Sequence, residues 1–203
     1  MIRRGRVQVR YARLAGRETY LPSLDVRTVG IGGGSLIRAA GAELIGVGPR
    51  SAHIAGLPYA CFADTAALEG AELVSIAPRA EDPADYLALQ AADGSRYAIT
   101  VTCAANAAGV VPAGSYARSD PDAANAALAL LARLLNVSVV DTAKAVLELA
   151  VRPVREVVDQ LIDAYRLERN TLALVGAAGE RPPSPRTWAK CPHWTGGSPR
   201  TAR

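Results

Sequence analysis

Val26-Arg27-Thr28-Val29-Gly30-Ile31-Gly32-Gly33-Gly34-Ser35 is the stretch on which the fold turns. A β-branched run over Val26–Ile31 predicts a strand, and it runs straight into three consecutive glycines and a serine. Glycine lets a ligand or another backbone segment approach closely, and it accepts positive φ. Three in a row cost conformational entropy, so the loop must be held by something. Two readings fit. In one, the amides of the loop cradle an anionic or planar ligand. In the other, the glycines mark a tight crossing or a bulge in a packed sheet. A Walker loop is excluded because no lysine follows the glycines, and no G-x-G-x-x-G precedes a helix here.

Downstream, Ser35–Arg38 and Glu43–Val47 read as two short strands around a turn at Gly41. The segment Gly46–Ala52 reads as a loop in which Arg50 is placed to meet an anion or to lie in solvent. The residues Glu72–Ala77, Tyr86–Gln90 and Arg96–Thr102 are strand-like, with the hairpin signal Asp93-Gly94 between the last two. Cys103 then reads as a small buried residue. Asp64 has no catalytic companion nearby, and His53 reads as structural or exposed.

Two helices follow. Asp120-Pro121 supplies an N-cap and a first-turn proline, the apolar stripe Ala124, Ala127, Leu128, Leu131, Leu134 follows, and Asn136 ends the helix. Ser138 with Asp141 resembles a capping box for a second helix reaching about Arg166, which Pro153 should kink or split. Thr171–Val175 reads as a short buried strand before Gly176-Ala177-Ala178-Gly179, a strand-then-small-loop pattern of the kind that brings backbone to a nucleotide.

Both ends of the chain differ in texture from the middle. The first 20 residues carry six arginines, with Val7, Val9 and Tyr11 alternating with Gln8 and Arg10 as in a half-exposed strand. The last 23 residues, Arg181–Arg203, hold five basic residues, no acid, five of the thirteen prolines and no Leu, Ile or Val. Such a segment reads as disordered, in the manner of a frameshifted end. The net charge of +4 comes from this tail, since residues 1–180 hold 18 basic and 19 acidic residues. A domain-wide nucleic-acid footprint is therefore not expected, and no aromatic platform interleaves with the basic residues. The chain is 203 residues long and 50% hydrophobic but only 5% aromatic, so its core must be aliphatic and rich in alanine. No apolar run is long enough for a membrane span, and the arginine-rich start lacks the apolar stretch of a signal peptide. Three scattered cysteines (Cys61, Cys103, Cys191) and two histidines give no zinc pattern and point to a reducing cytoplasm.

Four pieces in order, DVRTVGIGGGS at Asp25–Ser35, GPRSAHIAGLPYACFA at Gly48–Ala63, the two helices within 120–166, and LALVGAAGE at Leu172–Glu180, resemble the hydantoinase A/oxoprolinase family. That family includes ATP-dependent hydantoinases, 5-oxoprolinases and subunits of acetone and acetophenone carboxylases. Its corresponding segments look like vdi-TiGaGGGS, GPrSAGa-PGPaCYG and LvafGGaGp. The order holds over about 155 residues. This sequence departs at Ala55-Gly56-Leu57-Pro58, at Cys61-Phe62-Ala63 and at Ala177, and residues 72–103 do not follow the family pattern.

The resemblance implies an α/β fold: a fragment of an actin-like, ribonuclease-H-like ATPase lobe, with strands, two packed helices and a final strand. It implies a partial second lobe over residues 1–180, with a separate tail at 181–203. It also implies ATP and Mg²⁺, activation of a cyclic amide or ketone by phosphorylation, and completion of the reaction by a partner. That partner would be a hydantoinase B-like subunit or the remainder of a hydantoinase A chain. Gly32, Gly33, Gly34 and Ser35 would line the cleft beside Arg50, with Gly176 and Gly179 on the adenosine side. The family's acidic phosphate loops, one of the form DiGGTStDv, have no counterpart in this sequence, so catalytic carboxylates stay unassigned and no activity of the chain alone is expected. A non-catalytic ligand-binding or assembly module of the same descent is the alternative.

Overall fold

The computed structural model describes residues 2–3, 6–14 and 17–172. Its N-terminal part is a pair of two-stranded ribbons. Strands β1 (Ile2–Arg3) and β2 (Arg6–Val7) form the first, and β3 (Val9–Leu14) and β4 (Arg17–Leu24) the second, both antiparallel. The period-2 pattern around Val9 and Tyr11 is thus realised as a strand.

The body is an antiparallel sheet in the order β6-β5-β8-β7, with β9 also paired to β8. Its strands are β5 (Ser35–Ala40), β6 (Glu43–Ser51), β7 (Glu72–Ile76), β8 (Tyr86–Gln90) and β9 (Arg96–Ala98). The β5–β6 hairpin turns at Gly41, whose φ of 58° suits the absent side chain, and β8–β9 turns at Asp93-Gly94 as the sequence predicts. β5 and β8 share one register pair, Arg38 with Tyr86. A two-pronged ion pair strengthens that join: Arg38 Nε donates to Asp85 Oδ1 at 2.9 Å and Nη2 to Oδ2 at 2.5 Å.

The central strand faces two apolar clusters. Ile37 belongs to the large core with Leu89, Ile99, Leu128, Leu131 and Val146, whereas Leu36 packs with Ala52, Tyr86 and Ala98 in a smaller cluster. Opposite pointing of successive strand residues makes this division inevitable. Burial of a leucine such as Leu128 or Leu131, both fully enclosed, is worth about 1.5–3 kcal/mol.

Four α-helices complete the described residues: α1 (Ala52–Ala55), α2 (Val101–Ala107), α3 (Pro121–Leu135) and α4 (Val139–Tyr165). The Asp120 carboxylate caps α3 by accepting from the amides of Asp122 and Ala123, and Asn136 ends it at φ 55°. Ser138 caps α4 by accepting from the Asp141 amide at 3.1 Å and donating to its carboxylate at 2.7 Å. No single helix is long and apolar enough to cross a membrane.

Several expectations are corrected. Residues 26–31 are not a strand: they join no ladder, and the strand starts at Ser35. Residues 46–51 are not a loop, because β6 continues through the cis Gly48-Pro49 peptide to Ser51. The strand predicted over Arg96–Thr102 stops at Ala98, since Thr100 caps α2 and places Cys103 inside a helix. Of the kink or split expected at Pro153, the split is not found: α4 is one helix through that residue. Thr171 closes a 3₁₀ turn rather than opening a strand, and residues 173–180, with the final strand and late glycine loop expected there, lie outside the described residues, as does the tail. The α/β class is observed, with antiparallel pairing in every ladder among the described residues.

The β3–β4 ribbon is tied to the body through Asp25, which is only 4% exposed. Its amide donates to the Gln8 carbonyl at 3.0 Å. Its carboxylate accepts from Tyr165 at the end of α4 at 2.5 Å and from Arg27 at 3.1 Å, with Arg10 at 3.8 Å. Burial works to raise the Asp25 pKa, but the Tyr165 hydrogen bond and the two arginines outweigh it and hold the group below 3.8. Reciprocally, the Asp25 hydrogen bond raises the Tyr165 phenol above 10.0. The linkage signs follow: the Asp25 contribution is present above 3.8 and is lost as pH falls through the lowered folded value. The Tyr165 contribution is present below 10.0 and is lost as pH rises through the raised one. Urea titrations across pH should show Tyr165→Phe flattening both limbs, and an unchanged profile would remove Asp25 as the anchor.

Candidate functional site

The glycine loop is a bridge between two helix N-termini. Ser35 closes it: its amide donates to the Gly32 carbonyl at 3.0 Å, and its hydroxyl accepts from the Gly32 amide at 2.9 Å. The next two carbonyls point at helices. Gly33 O accepts from the Thr102 amide in the first turn of α2 at 2.8 Å, and Gly34 O accepts from the Ala52 amide at the start of α1 at 2.8 Å. First-turn amides have no partner within their own helix, and an anion is one way to satisfy them. Here the loop's own carbonyls do it. Side chains complete the caps: Ser51 Oγ accepts from Ile54 N and Thr100 Oγ1 from Cys103 N, both at 3.4 Å.

Close packing explains the missing side chains. A Cβ on Gly33 would lie 2.7 Å from Thr102 Oγ1, and one on Gly34 would collide with the Tyr59 hydroxyl and lie 3.2 Å from its Cζ. From the other side, Gly48 sits at φ 67°, and a Cβ there would lie 3.0 Å from both Gly30 O and Ile31 Cδ1. Of the three consecutive glycines only Gly32 is open, with nothing within 4 Å of where a Cβ would sit. The tight-crossing reading therefore accounts for Gly33 and Gly34, and Gly32 and the half-open rim are what the loop presents outward.

The remaining predicted site residues divide. Ser35 is buried and serves the turn. Arg50 lies on β6 and not in a loop, and it is not held ready for an anion. Its Nε donates to the two Asp82 oxygens at 2.9 and 2.8 Å, and Nη2 to Oδ1 at 2.7 Å. That pairing raises the Arg50 pKa and holds the Asp82 carboxyl below its ordinary range. Gly176 and Gly179 lie outside the described residues. His53 is exposed and Asp64 caps a 3₁₀ turn, accepting from Ala66 N.

Sequence reasoning missed a buried polar cluster beneath the loop. Cys61 and Cys103, distant in sequence, interact in the core, with Thr100 and Ser119 beside them. Hydrogen bonding to Cys103, reinforced by burial, pushes the Cys61 thiol up. Burial opposes ionisation of Cys103 as well, while hydrogen bonds from Cys61 and Thr100 work to lower that thiol. The signal available was Thr100-Val101-Thr102-Cys103, an N-cap threonine with cysteine at the third helical position, masked by the β-branched residues around it.

Two concavities lie elsewhere. One of about 210 Å³ sits between α2 and α3, against Asn106, Arg118 and Asn125, and one of about 510 Å³ lies between the sheet and α3, against Leu73, Leu87 and Leu130. Neither is lined by Gly32, Gly33, Gly34, Ser35 or Arg50. Among the described residues no three His, Cys, Asp or Glu side chains converge on a point where a metal ion could sit. The packing of Gly33 and Gly34 needs no ligand to explain it, and Gly32 is left open to one.

The hydantoinase/oxoprolinase family model matches residues 1–183. The chain belongs to the hydantoinase/oxoprolinase family. No curated protein and no solved structure matches it.

Substitutions in the loop should separate space from ligand contact. Gly34→Ala should lose roughly 1–3 kcal/mol in urea unfolding through overpacking against Tyr59. Gly32→Ala should be neutral or gain about 0.4–1 kcal/mol, because its position is open and its unfolded chain less free. Equal losses at both positions would refute the packing account.

Proposed function

We propose that this chain forms one lobe of an ATP-dependent subunit of the hydantoinase or oxoprolinase type, acting on a cyclic amide or, in the carboxylase branch, on a ketone. The observation that carries the reading is the family match over residues 1–183. An actin-like arrangement of two lobes around a nucleotide is part of the proposal. In it, Gly32 and the rim of the loop face the cleft, and Gly176 and Gly179 lie on the adenosine side.

Phosphoryl transfer relies on positioning and on neutralising charge with cations and metal ions. Among the described residues Arg50 is paired with Asp82. On this reading the phosphate-handling groups come from a hydantoinase B-like subunit or further hydantoinase A sequence. On this reading the chain by itself does not turn over ATP, and it works in the cytoplasm with its partner.

Calorimetric titration with Mg-ATP tests this directly, using the chain alone and then with the product of the neighbouring gene. Binding and turnover are expected only in the second case. A robust ATPase rate from the chain alone, abolished by Gly33→Val, would overturn the proposal.

A further inference from the structure

The β3–β4 ribbon is tethered to the body at Asp25 and leaves an apolar face open among the described residues. Cross-strand register sets Val9 against Leu24 and Tyr11 against Pro22, and the pleat puts Tyr20 on the same side. Tyr11 and Tyr20 meet edge to face with centroids 6.3 Å apart. These residues are open: Val9 is 56%, Tyr11 54%, Tyr20 95% and Leu24 58% exposed. The opposite side carries Arg10 toward Asp25, with Thr19 and Ser23 half-buried and Leu21 exposed. Seven of the fifteen large hydrophobic residues exposed among those described fall between Val7 and Val26. Scattered exposed apolar residues need no explanation, but a contiguous face does.

A two-stranded ribbon is marginally stable on its own in water. The two strands form a sheet by themselves, so each also has an outer edge without a ladder partner among the described residues. The charge of this stretch of sequence is one-sided: residues 1–20 hold six arginines and one acid, Glu18. A second copy of this chain would bring arginine against arginine. A lipid surface would leave the open strand edges without hydrogen-bond partners. A polypeptide satisfies all three features if it brings an extended strand, an apolar face and a border of Asp or Glu.

We propose that the Val9, Tyr11, Tyr20, Pro22, Leu24 face is a docking surface for a separate polypeptide that adds an apolar, acid-bordered strand to the ribbon. The proposal goes beyond the ATP-dependent reading and stands whether or not the chain handles a nucleotide. Affinity comes from covered apolar area and added ladder bonds, and selectivity from the arginines.

The test uses the full chain and two fluorescent peptides with the same alternating Val/Thr strand core, one ended by glutamates and one by lysines. Fluorescence anisotropy should show the glutamate peptide binding roughly tenfold or more tightly, weakening with salt. Tyr20→Glu and Leu24→Glu should each abolish the difference, while Val140→Glu on α4 should keep it. Circular dichroism of each variant confirms folding, and Tyr20→Phe, which preserves the apolar face, should bind as the original does. Equal binding of both peptides, or insensitivity to Tyr20→Glu and Leu24→Glu, overturns the proposal. So does ribbon-dependent dimerisation of the chain or ribbon-dependent binding to phosphatidylserine vesicles without peptide binding.

Discussion

Two carbonyl groups organise the body of this protein. Gly33 O takes the Thr102 amide and Gly34 O the Ala52 amide, each at 2.8 Å. These bonds fasten the entry of the central strand to the first turns of α1 and α2 at once. They work only if the backbone comes close, and it comes close only because Gly33 and Gly34 have no side chains to meet Thr102 and Tyr59. Moving the loop outward would leave first-turn amides buried without partners, a cost of about 1–3 kcal/mol each. It would also loosen β5, whose Leu36 and Ile37 anchor the two apolar clusters.

Local signals are readable in the sequence and remote partners are not. Asp120-Pro121, Asn136 and Ser138 with Asp141 each announce a helix end through atoms a few residues apart, and all are observed in those roles. Gly41 and Asp93-Gly94 announce hairpins in the same way. α2 is hidden because Tyr97–Thr102 is a β-branched and aromatic run, and the choice of helix at Val101 depends on a carbonyl from Gly33, far away in sequence. Val26–Ile31 has strand composition but no neighbour to form a ladder with, so composition misleads. Arg50 reads as an anion contact or a solvated side chain, and neither reading names Asp82, 32 residues on, as its partner. Pro153 does not divide α4 because propensity yields to tertiary packing, here of Val146 and Ala150 before it and Ile162 after it.

The glycine motif carries the family resemblance, and the family match over residues 1–183 confirms membership. Yet within this chain the motif's first two consequences are structural: it caps helices and permits a crossing. A ligand is not needed to account for Gly33 or Gly34. The proposed role in an ATP-dependent assembly therefore rests on membership, with Gly32 and the outward rim as the part of the loop that packing leaves open. The same logic applies to Asp25, whose burial and bonds to Tyr165, Arg27 and Arg10 make it a tether for the ribbon.

Native-state hydrogen exchange at Thr102 and Ala52 tests the central claim most directly. Both amides should exchange only through global unfolding, because the glycine carbonyls that hold them are part of the packed body. Rapid exchange at these two positions in the folded protein, at rates typical of an open loop, would mean that the glycine stretch is not fastened as described.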